Sequence, residues 1–359
     1  MSTEPTALTA AFEAALREFF ESRRPTVDSI GGDFAVAVDH LEQFVLRGGK
    51  RIRPAFAWTG WLGAGGDPAG PDSPIVLRVC AALELIQACA LIHDDIIDSS
   101  HTRRGRPTVH IAFADRHRGR AWSGDSTDFG DAVAILLGDL ALSWADDMVR
   151  ESALSQAATA RLAPVWSAMR TEVLGGQFLD LHSEVTGDET VEAALQIDRY
   201  KTAAYTVERP LHIGAALADA DLALIDAYRR FGADIGIAFQ LRDDLLGVFG
   251  DPSVTGKPSG DDLREGKRTA LFAVALQRAD RDSPATASLL RSSIGTELDD
   301  EQVETIRAEL HRLGAVDDIE ARISALTERA IDTLFTSSAT PVAKDLLRDM
   351  AVSATSRTS

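Results

Sequence analysis

The stretch Ile75–Pro107, IVLRVCAALELIQACALIHDDIIDSSHTRRGRP, decides how the whole chain is read. Its first two thirds are apolar nearly all round, which describes a central buried helix rather than an amphipathic one. Yet the run ends in Asp94, Asp95 and Asp98, and Arg103 and Arg104 follow. On a helix the three acids lie within an arc of about 100°. Ionised there, they repel one another and lose solvation. They also oppose the helix macrodipole at its C-terminal end. An arrangement this costly asks for a compensating cation. Carboxylate oxygens without Cys or His favour a hard metal, Mg²⁺ first. His93 projects about 100° away from Asp94 and reads as a packing residue. The plain alternative is a solvated helix end that happens to be acidic.

The pattern recurs in GADIGIAFQLRDDLLGVFG (232–250), where Gln240 precedes Asp243 and Asp244 and the next turn carries Gly247. Two acidic patches on interior helices are expected to face each other across a bundle and to grip a polyanion through metals. Mg²⁺ shares its shell with substrate phosphates, so the expected ligand is a phosphate or diphosphate ester. RGGKRIRP (47–54) is the densest basic cluster of an acidic chain, and Arg forks with a Lys point charge suit a diphosphate. Taken alone, such a run reads as a solvated basic turn. Lys201, Lys257 and Lys267 taken singly read as surface lysines.

The remaining sequence sets the bounds. With 359 residues, 45% of them hydrophobic, the chain can bury a large core. A formal net charge of −18 argues against nucleic acid or an anionic membrane as partner. Cys80 and Cys89, on one helix, would point about 180° apart at roughly 13 Å, too far for a disulfide. Two buried thiols fit a reducing compartment. The N-terminus lacks a basic segment ahead of an apolar one, and no apolar run reaches the roughly 20 residues of a membrane span. These features predict a cytoplasmic protein. Helical periodicity prevails and no period-2 strand pattern is present. Turn-rich gaps fall at 63–75, 114–131, 250–269 and 280–302, and no linker or repeat divides the chain. The expectation is one all-α domain over 1–359, of ten or more helices, with loose ends at about 1–6 and 353–359.

Six motifs, in order from Phe44 to Thr269, resemble those of the trans-isoprenyl diphosphate synthases, the polyprenyl synthetases: GGKRIRP, LIHDDIIDSSHTRRGRPTVH, GGQFLDL (175–181), KTAAYT (201–206), FQLRDDLLGVFGD (239–251) and GKPSGDDLREGKRT (256–269). The resemblance, strongest to bacterial geranylgeranyl diphosphate synthases, implies an isoprenoid synthase-type bundle around a central apolar cavity. It implies a homodimer whose substrates are isopentenyl diphosphate and allylic diphosphates of C5 to C15. Lys50, Arg53, Gln87 and Arg104 would hold isopentenyl diphosphate, with Arg51 in support. Arg103, Lys201 and Lys257 would contact the allylic diphosphate. Asp94, Asp98 and Asp243 would be the main Mg²⁺ ligands, with Asp95 and Asp244 supporting, for three Mg²⁺ per active site, two of them on the first cluster. Thr202, Gln240 and the Lys201 backbone would lie near the developing allylic cation. Gln177 and Asp180 would form the outer shell of the metals, and Lys267 would close over the diphosphate.

One departure is Gly247, where the family's second motif usually carries a third Asp; Asp251, about 12 Å along a helix from Asp243, is a poor substitute. Chain length is read from Cys89 and Ala90, the fifth and fourth residues before Asp94. Small side chains there leave a deep pocket and favour the C20 product, geranylgeranyl diphosphate, over farnesyl (C15) or longer products. Two alternatives stay open. A class I terpene cyclase has metal ligands at the spacing of residues 243, 247 and 251, but has no use for GGKRIRP and Gln87. A non-catalytic subunit of a heteromeric synthase would tend to have lost these motifs.

Overall fold

The structure is a computed structural model that describes residues 5–250 and 260–356. Among these residues the chain is helical almost throughout, as expected, and the one sheet is a two-stranded ladder. Contacts divide the chain into two compact units, 1–163 with 213–219 and 164–212 with 220–359. No composition shift marks those boundaries, which is why a sequence reading finds a single domain.

The first unit holds α1 (Pro5–Ile30), α2 (Gly32–Leu46), α3 (Ile52–Gly63), α4 (Ser73–Ile97), α5 (Val109–Gly119) and α6 (Ser126–Arg150). The apolar part of Ile75–Pro107 lies on α4, packed on α1, α3 and α6. Pro74 sits in its first turn, where a missing N–H costs no helix bond. Contrary to the expectation that no segment is long enough, α4 could cross a membrane by length and composition. However, 72% of its apolar window is buried inside the protein, as befits a core helix. Helix α6 begins at an N-cap, Asp125, whose Oδ1 accepts from the backbone N–H of Thr127 at 2.7 Å and of Asp128 at 3.1 Å. The gap expected at 114–131 therefore shrinks to 120–125.

Between α4 and α5 lies a hairpin that periodicity could not show. Strand β1 (Thr102–Arg103) pairs antiparallel with β2 (Arg106–Pro107), with Arg103 opposite Arg106. The two turn residues, Arg104 and Gly105, have φ of 53° and 71°. Positive φ at both central positions is the type I′ pattern that matches strand twist.

The second unit takes α7 (Gln156–Thr186) from residue 164 onward, then α8 (Val191–Ile197), a π-helix (Asp198–Glu208), the start of α9 (Arg209–Leu217) and α10 (Leu222–Phe249). After them come α11 (Asp261–Glu265), α12 (Ala270–Asp282), α13 (Pro284–Ser293), α14 (Asp300–Arg312), α15 (Ala315–Thr336) and α16 (Pro341–Thr355). Helix α10 packs on the π-helix and on α15. Leu241 and Leu245 of α10 join Phe272, Leu276, Leu290, Leu310 and Ile319 in a dry core. The polar stretch near 280–302 turns out to contain α13. Of the ends expected to be loose, 5–6 and 353–355 are helical, Ser356 caps the last helix, and 1–4 and 357–359 lie outside the described residues.

Candidate active site

In the first unit α4 sets out the site by its exposure pattern. Gln87, Ala90, Leu91, Asp94 and Asp98 are partly exposed on a helix that is otherwise buried from Val79 to Ile92. Their spacing of i, i+3, i+4, i+7 and i+11 makes them one stripe. Cys89 and His93 belong to a different face. The Cys89 thiol lies 3.8 Å from His93 Nδ1, and His93 Nε2 lies 3.1 Å from the carbonyl of Ile135 on α6. A Cβ at Gly138 would stand 2.1 Å from His93 Nε2, so that glycine makes room for the ring. Burial pushes the Cys89 thiol up to about 12, with Asp139 adding to it. Cys80 is likewise buried and free, as the spacing required. Of the two chain-length candidates, Ala90 shares the stripe of the acids, whereas Cys89 packs toward α6.

The compensating cation demanded by the first acidic cluster includes a guanidinium. Arg103 donates from Nε to Asp95 Oδ1 at 2.7 Å and from Nη2 to Asp94 Oδ2 at 3.4 Å. Asp95 is only 1% exposed, and burial pushes its carboxyl up to about 6 although Arg103 pulls the other way. Its Oδ2 is buried with no hydrogen-bond partner among the described residues.

The basic turn joins this region through Arg104. Gly48 and Gly49 have φ of 78° and 114°, a conformation that other residues rarely adopt. A Cβ on Gly49 would stand 3.5 Å from both Arg104 Nη atoms, so the guanidinium rests on the bare backbone of the pair. Arg104 Nη1 also donates to the carbonyl of Arg47 at 3.4 Å. Burial lowers the proton affinity of Arg104, and the charges of Arg103, Arg51 and Arg53 lower it further. Cations gathered this tightly favour an anion among them. Lys50 is exposed at this turn, and Arg53 is half-buried.

Arg51 behaves differently. Its φ is 48°, and its guanidinium turns inward, donating to Glu84 Oε2 at 2.5 Å and to the carbonyl of Leu46 at 3.3 Å. Arg51 and Glu84 are both buried. The residue therefore anchors the turn to α4. Glu84 was missed by the sequence reading, although a lone acid inside an apolar run was the available signal.

The second unit gathers the other candidates around the π-helix. Glycines admit this wide segment. A Cβ at Gly176 would lie 2.2 Å from Lys201 N, and one at Gly236 would lie 2.4 Å from Ala203 Cα. Backbones thus approach where any side chain would collide, and a π-turn is a frequent device at functional sites. Lys201 Nζ pairs with Asp180 Oδ2 at 2.5 Å. Thr202 Oγ1 donates to Gln240 Oε1 at 2.8 Å, and Gln240 Nε2 donates to Asp244 Oδ1 at 2.8 Å. This relay sets the orientation of the Gln240 amide. Gln177 is half-buried, and its Nε2 is buried without a partner among the described residues.

Asp244 is 3% exposed, and burial pushes its carboxyl up to about 8; Gln240 opposes the shift, whereas Asp262 and Asp243 reinforce it. Its Oδ2 has no hydrogen-bond partner among the described residues. Asp198, also missed by the sequence reading, is buried beside it. Burial and then the charges of Asp244 and Asp180 drive Asp198 well above the usual carboxylate range. Its place three residues before Lys201 was the only hint. Lys267 Nζ lies 2.7 Å from Glu265 and 3.6 Å from Asp262. Lys257 lies outside the described residues.

Comparisons with known proteins agree with the motifs. The Polyprenyl synthetase family model matches residues 36–310, and the chain belongs to that family. It is therefore a trans-prenyltransferase of the isoprenyl diphosphate synthase fold. Over 293 residues it is 34% identical to the geranylfarnesyl diphosphate synthase of Aeropyrum pernix, covering 81% of this chain and 84% of that protein. It is 36% identical to the geranylgeranyl diphosphate synthase of Mycobacterium tuberculosis, covering 68% of this chain and 63% of that one. Among solved structures, the geranylgeranyl pyrophosphate synthase of Corynebacterium glutamicum, complexed with isoprenyl diphosphate and magnesium, is 49% identical. The TM-score is 0.94, with 99% of this chain and 100% of that one covered.

The donors fit Mg²⁺. They are carboxylate oxygens, and Asp95 and Asp244 each have a buried oxygen with no hydrogen-bond partner among the described residues. Among the same residues no three acidic, His or Cys side chains form a ready-made cage.

Proposed function

We propose that this protein condenses isopentenyl diphosphate head-to-tail with allylic diphosphates, five carbons at a time, and releases geranylgeranyl diphosphate (C20). The observation that carries the product length is the α4 stripe, in which Ala90 is the small residue one turn before Asp94. An aromatic side chain there would put a floor under the growing hydrocarbon.

Asp94, Asp98 and Asp243 would hold Mg²⁺, three per site, with Asp95 and Asp244 in support and Gln177 and Asp180 in the outer shell. When bound, Mg²⁺ supplies positive charge against the diphosphate as it leaves. Arg103, Lys201, Lys257 and Lys267 bind the allylic diphosphate, while Lys50, Arg53, Arg104 and Gln87 bind that of the second substrate. Arg51 acts at one remove, by fixing the basic turn to Glu84. Thr202 Oγ1 and Gln240 Oε1, joined by their hydrogen bond, offer lone pairs to positive charge developing at the allylic carbon. The apolar surroundings keep water from that carbon. A new carbon–carbon bond forms as the C–O bond to diphosphate breaks, and the released diphosphate takes the proton lost from the isopentenyl unit.

We read 1–359 as one functional domain, since the chain crosses between its compact units at 163–164, 212–213 and 219–220. We read it also as a cytoplasmic homodimer. An exposed apolar stripe on α7, Leu174, Phe178, Leu181 and Val185, supports self-association. Sedimentation equilibrium on wild type and Phe178→Glu tests the dimer.

Product analysis tests the function. The protein is incubated with Mg²⁺, labelled isopentenyl diphosphate and each of the C5, C10 and C15 allylic diphosphates. A C20 alcohol after dephosphorylation is expected. A C15 or much longer alcohol would keep the reaction and remove the pocket reading. Absence of label from any product would favour a cyclase or a partner-dependent subunit.

A further inference from the structure

Gly247 lies one turn beyond Asp243 on α10, so both positions share a face. A Cβ built at Gly247 would stand 1.8 Å from Oδ2 of Asp262 and 2.3 Å from its Cγ. The space that a side chain at 247 would fill is therefore taken by a carboxylate arriving from α11. Asp262 is well enclosed, with 13% of its side chain exposed, and its Oδ1 lies 3.6 Å from Lys267 Nζ. Its negative charge also acts on Asp244. Asp244 is more than nine-tenths buried, and its Oδ2 has no hydrogen-bond partner among the described residues. A lone buried carboxylate oxygen among further carboxylates is costly unless a cation joins them.

We propose that Asp262 is a positioning carboxylate of the α10 metal site, occupying the space left by Gly247 and helping Asp243 and Asp244 to hold Mg²⁺. The proposal rests on the reading above in which the α10 acids bind Mg²⁺ together with diphosphate. The competing explanation is an internal tie, with Asp262 paired to Lys267 only to shape the chain between α11 and α12. The two differ in one respect: a tie to Lys267 is not restored by a carboxylate at 247, whereas a share in the metal site is.

The test is a Mg²⁺ titration of the full-length protein with inorganic diphosphate present, reading the Mg²⁺ midpoint from thermal stabilisation and from calorimetry. Asp262→Asn and Asp262→Gly are expected to raise the midpoint on the order of 10- to 100-fold. The exchange Gly247→Asp with Asp262→Gly is expected to recover most of that loss. Circular dichroism confirms folding, and if Asp262→Asn does not fold, the comparison of Asp262→Gly with the exchange decides. An unchanged midpoint in the Asp262 variants, with Asp243→Asn raising it, would overturn this inference alone. An exchange variant no better than Asp262→Gly would also overturn it. No Mg²⁺-dependent binding of diphosphate by wild type would remove both the inference and the reading beneath it.

Discussion

The acidic clusters of α4 and α10 look alike in sequence, each an Asp pair near the end of an apolar helix, yet they are neutralised by different means. On α4 the buried Asp95 receives a guanidinium from Arg103, eight residues further along the chain. On α10 the buried Asp244 accepts a hydrogen bond from the neutral amide of Gln240, with Asp198, Asp243 and Asp262 as acidic neighbours. Their carboxyls accordingly rise to about 6 and about 8. One cluster pairs its buried carboxylate directly with a guanidinium, whereas in the other the ammonium of Lys267 reaches Asp262 and acts on Asp244 only through its charge. A cost argument from sequence therefore points to a needed cation without saying which cation meets the need.

The largest expected effect would come from deleting one acid of each cluster. Asp94→Ala and Asp243→Ala should each lower kcat on the order of 10²- to 10³-fold without unfolding the protein. Lys50→Ala should lower turnover sharply by weakening the second substrate's diphosphate. Steady-state rates at saturating Mg²⁺ check this, and a near-normal rate in either Asp variant would end the functional parallel.

Stability should separate the clusters next. Arg103→Gln removes the cation from a buried carboxylate and should cost about 1–3 kcal/mol of unfolding free energy in metal-free buffer. Gln240→Met removes the two hydrogen bonds of a neutral amide, with Thr202 and Asp244, and no countercharge, and should cost less. Denaturant unfolding that ranks them in the opposite order would contradict the electrostatic contrast.

The pH dependence follows from the same shifts. Both carboxyls have folded values above 3.8, so the folded state binds protons more tightly than the unfolded one. Their stabilising contribution is complete below about pH 4 and is lost as pH rises through about 6 for Asp95 and about 8 for Asp244. Melting of metal-free protein should thus fall between pH 4 and 8. Asp95→Asn should flatten the lower part of that decline and Asp244→Asn the upper part. Scanning calorimetry in chelator checks the order.

The last contrast, read mainly in product length, belongs to a pair on α4. Ala90→Phe, on the partly exposed stripe, should shorten the product by at least one isoprene unit. Cys89→Phe, facing His93 and α6, should instead overpack that contact and cost about 1–3 kcal/mol with less effect on length. Equal shortening by both variants would erase the distinction between the two faces.

Much of this was legible in sequence because the functional groups lie on long helices. Their apolar runs announced α4 and α10, and spacing along α4 placed Asp94, Asp95 and Asp98 within one arc, whereas the stripe shared by Gln87 and Ala90 emerged from the structure. The hairpin that carries Arg103 and Arg104 was not legible, since two-residue strands leave no periodic trace. Nor was the π-helix, because its wide turn depends on Gly176 and Gly236, far away in sequence, letting other backbones approach. Arg51 read as a substrate residue because a basic run does not disclose that one member has a buried partner such as Glu84. Asp198 and Asp262 were passed over for the same reason: their burial is a tertiary fact.

The most direct test of the central claim, that both clusters hold metal for one substrate, is metal stoichiometry. Mn²⁺ in place of Mg²⁺ would be counted by electron paramagnetic resonance in the presence of an unreactive allylic bisphosphonate. About three ions per site are expected for wild type, about one fewer for Asp243→Asn and about two fewer for Asp94→Asn with Asp98→Asn. A count left unchanged by substitutions in either cluster would contradict the account.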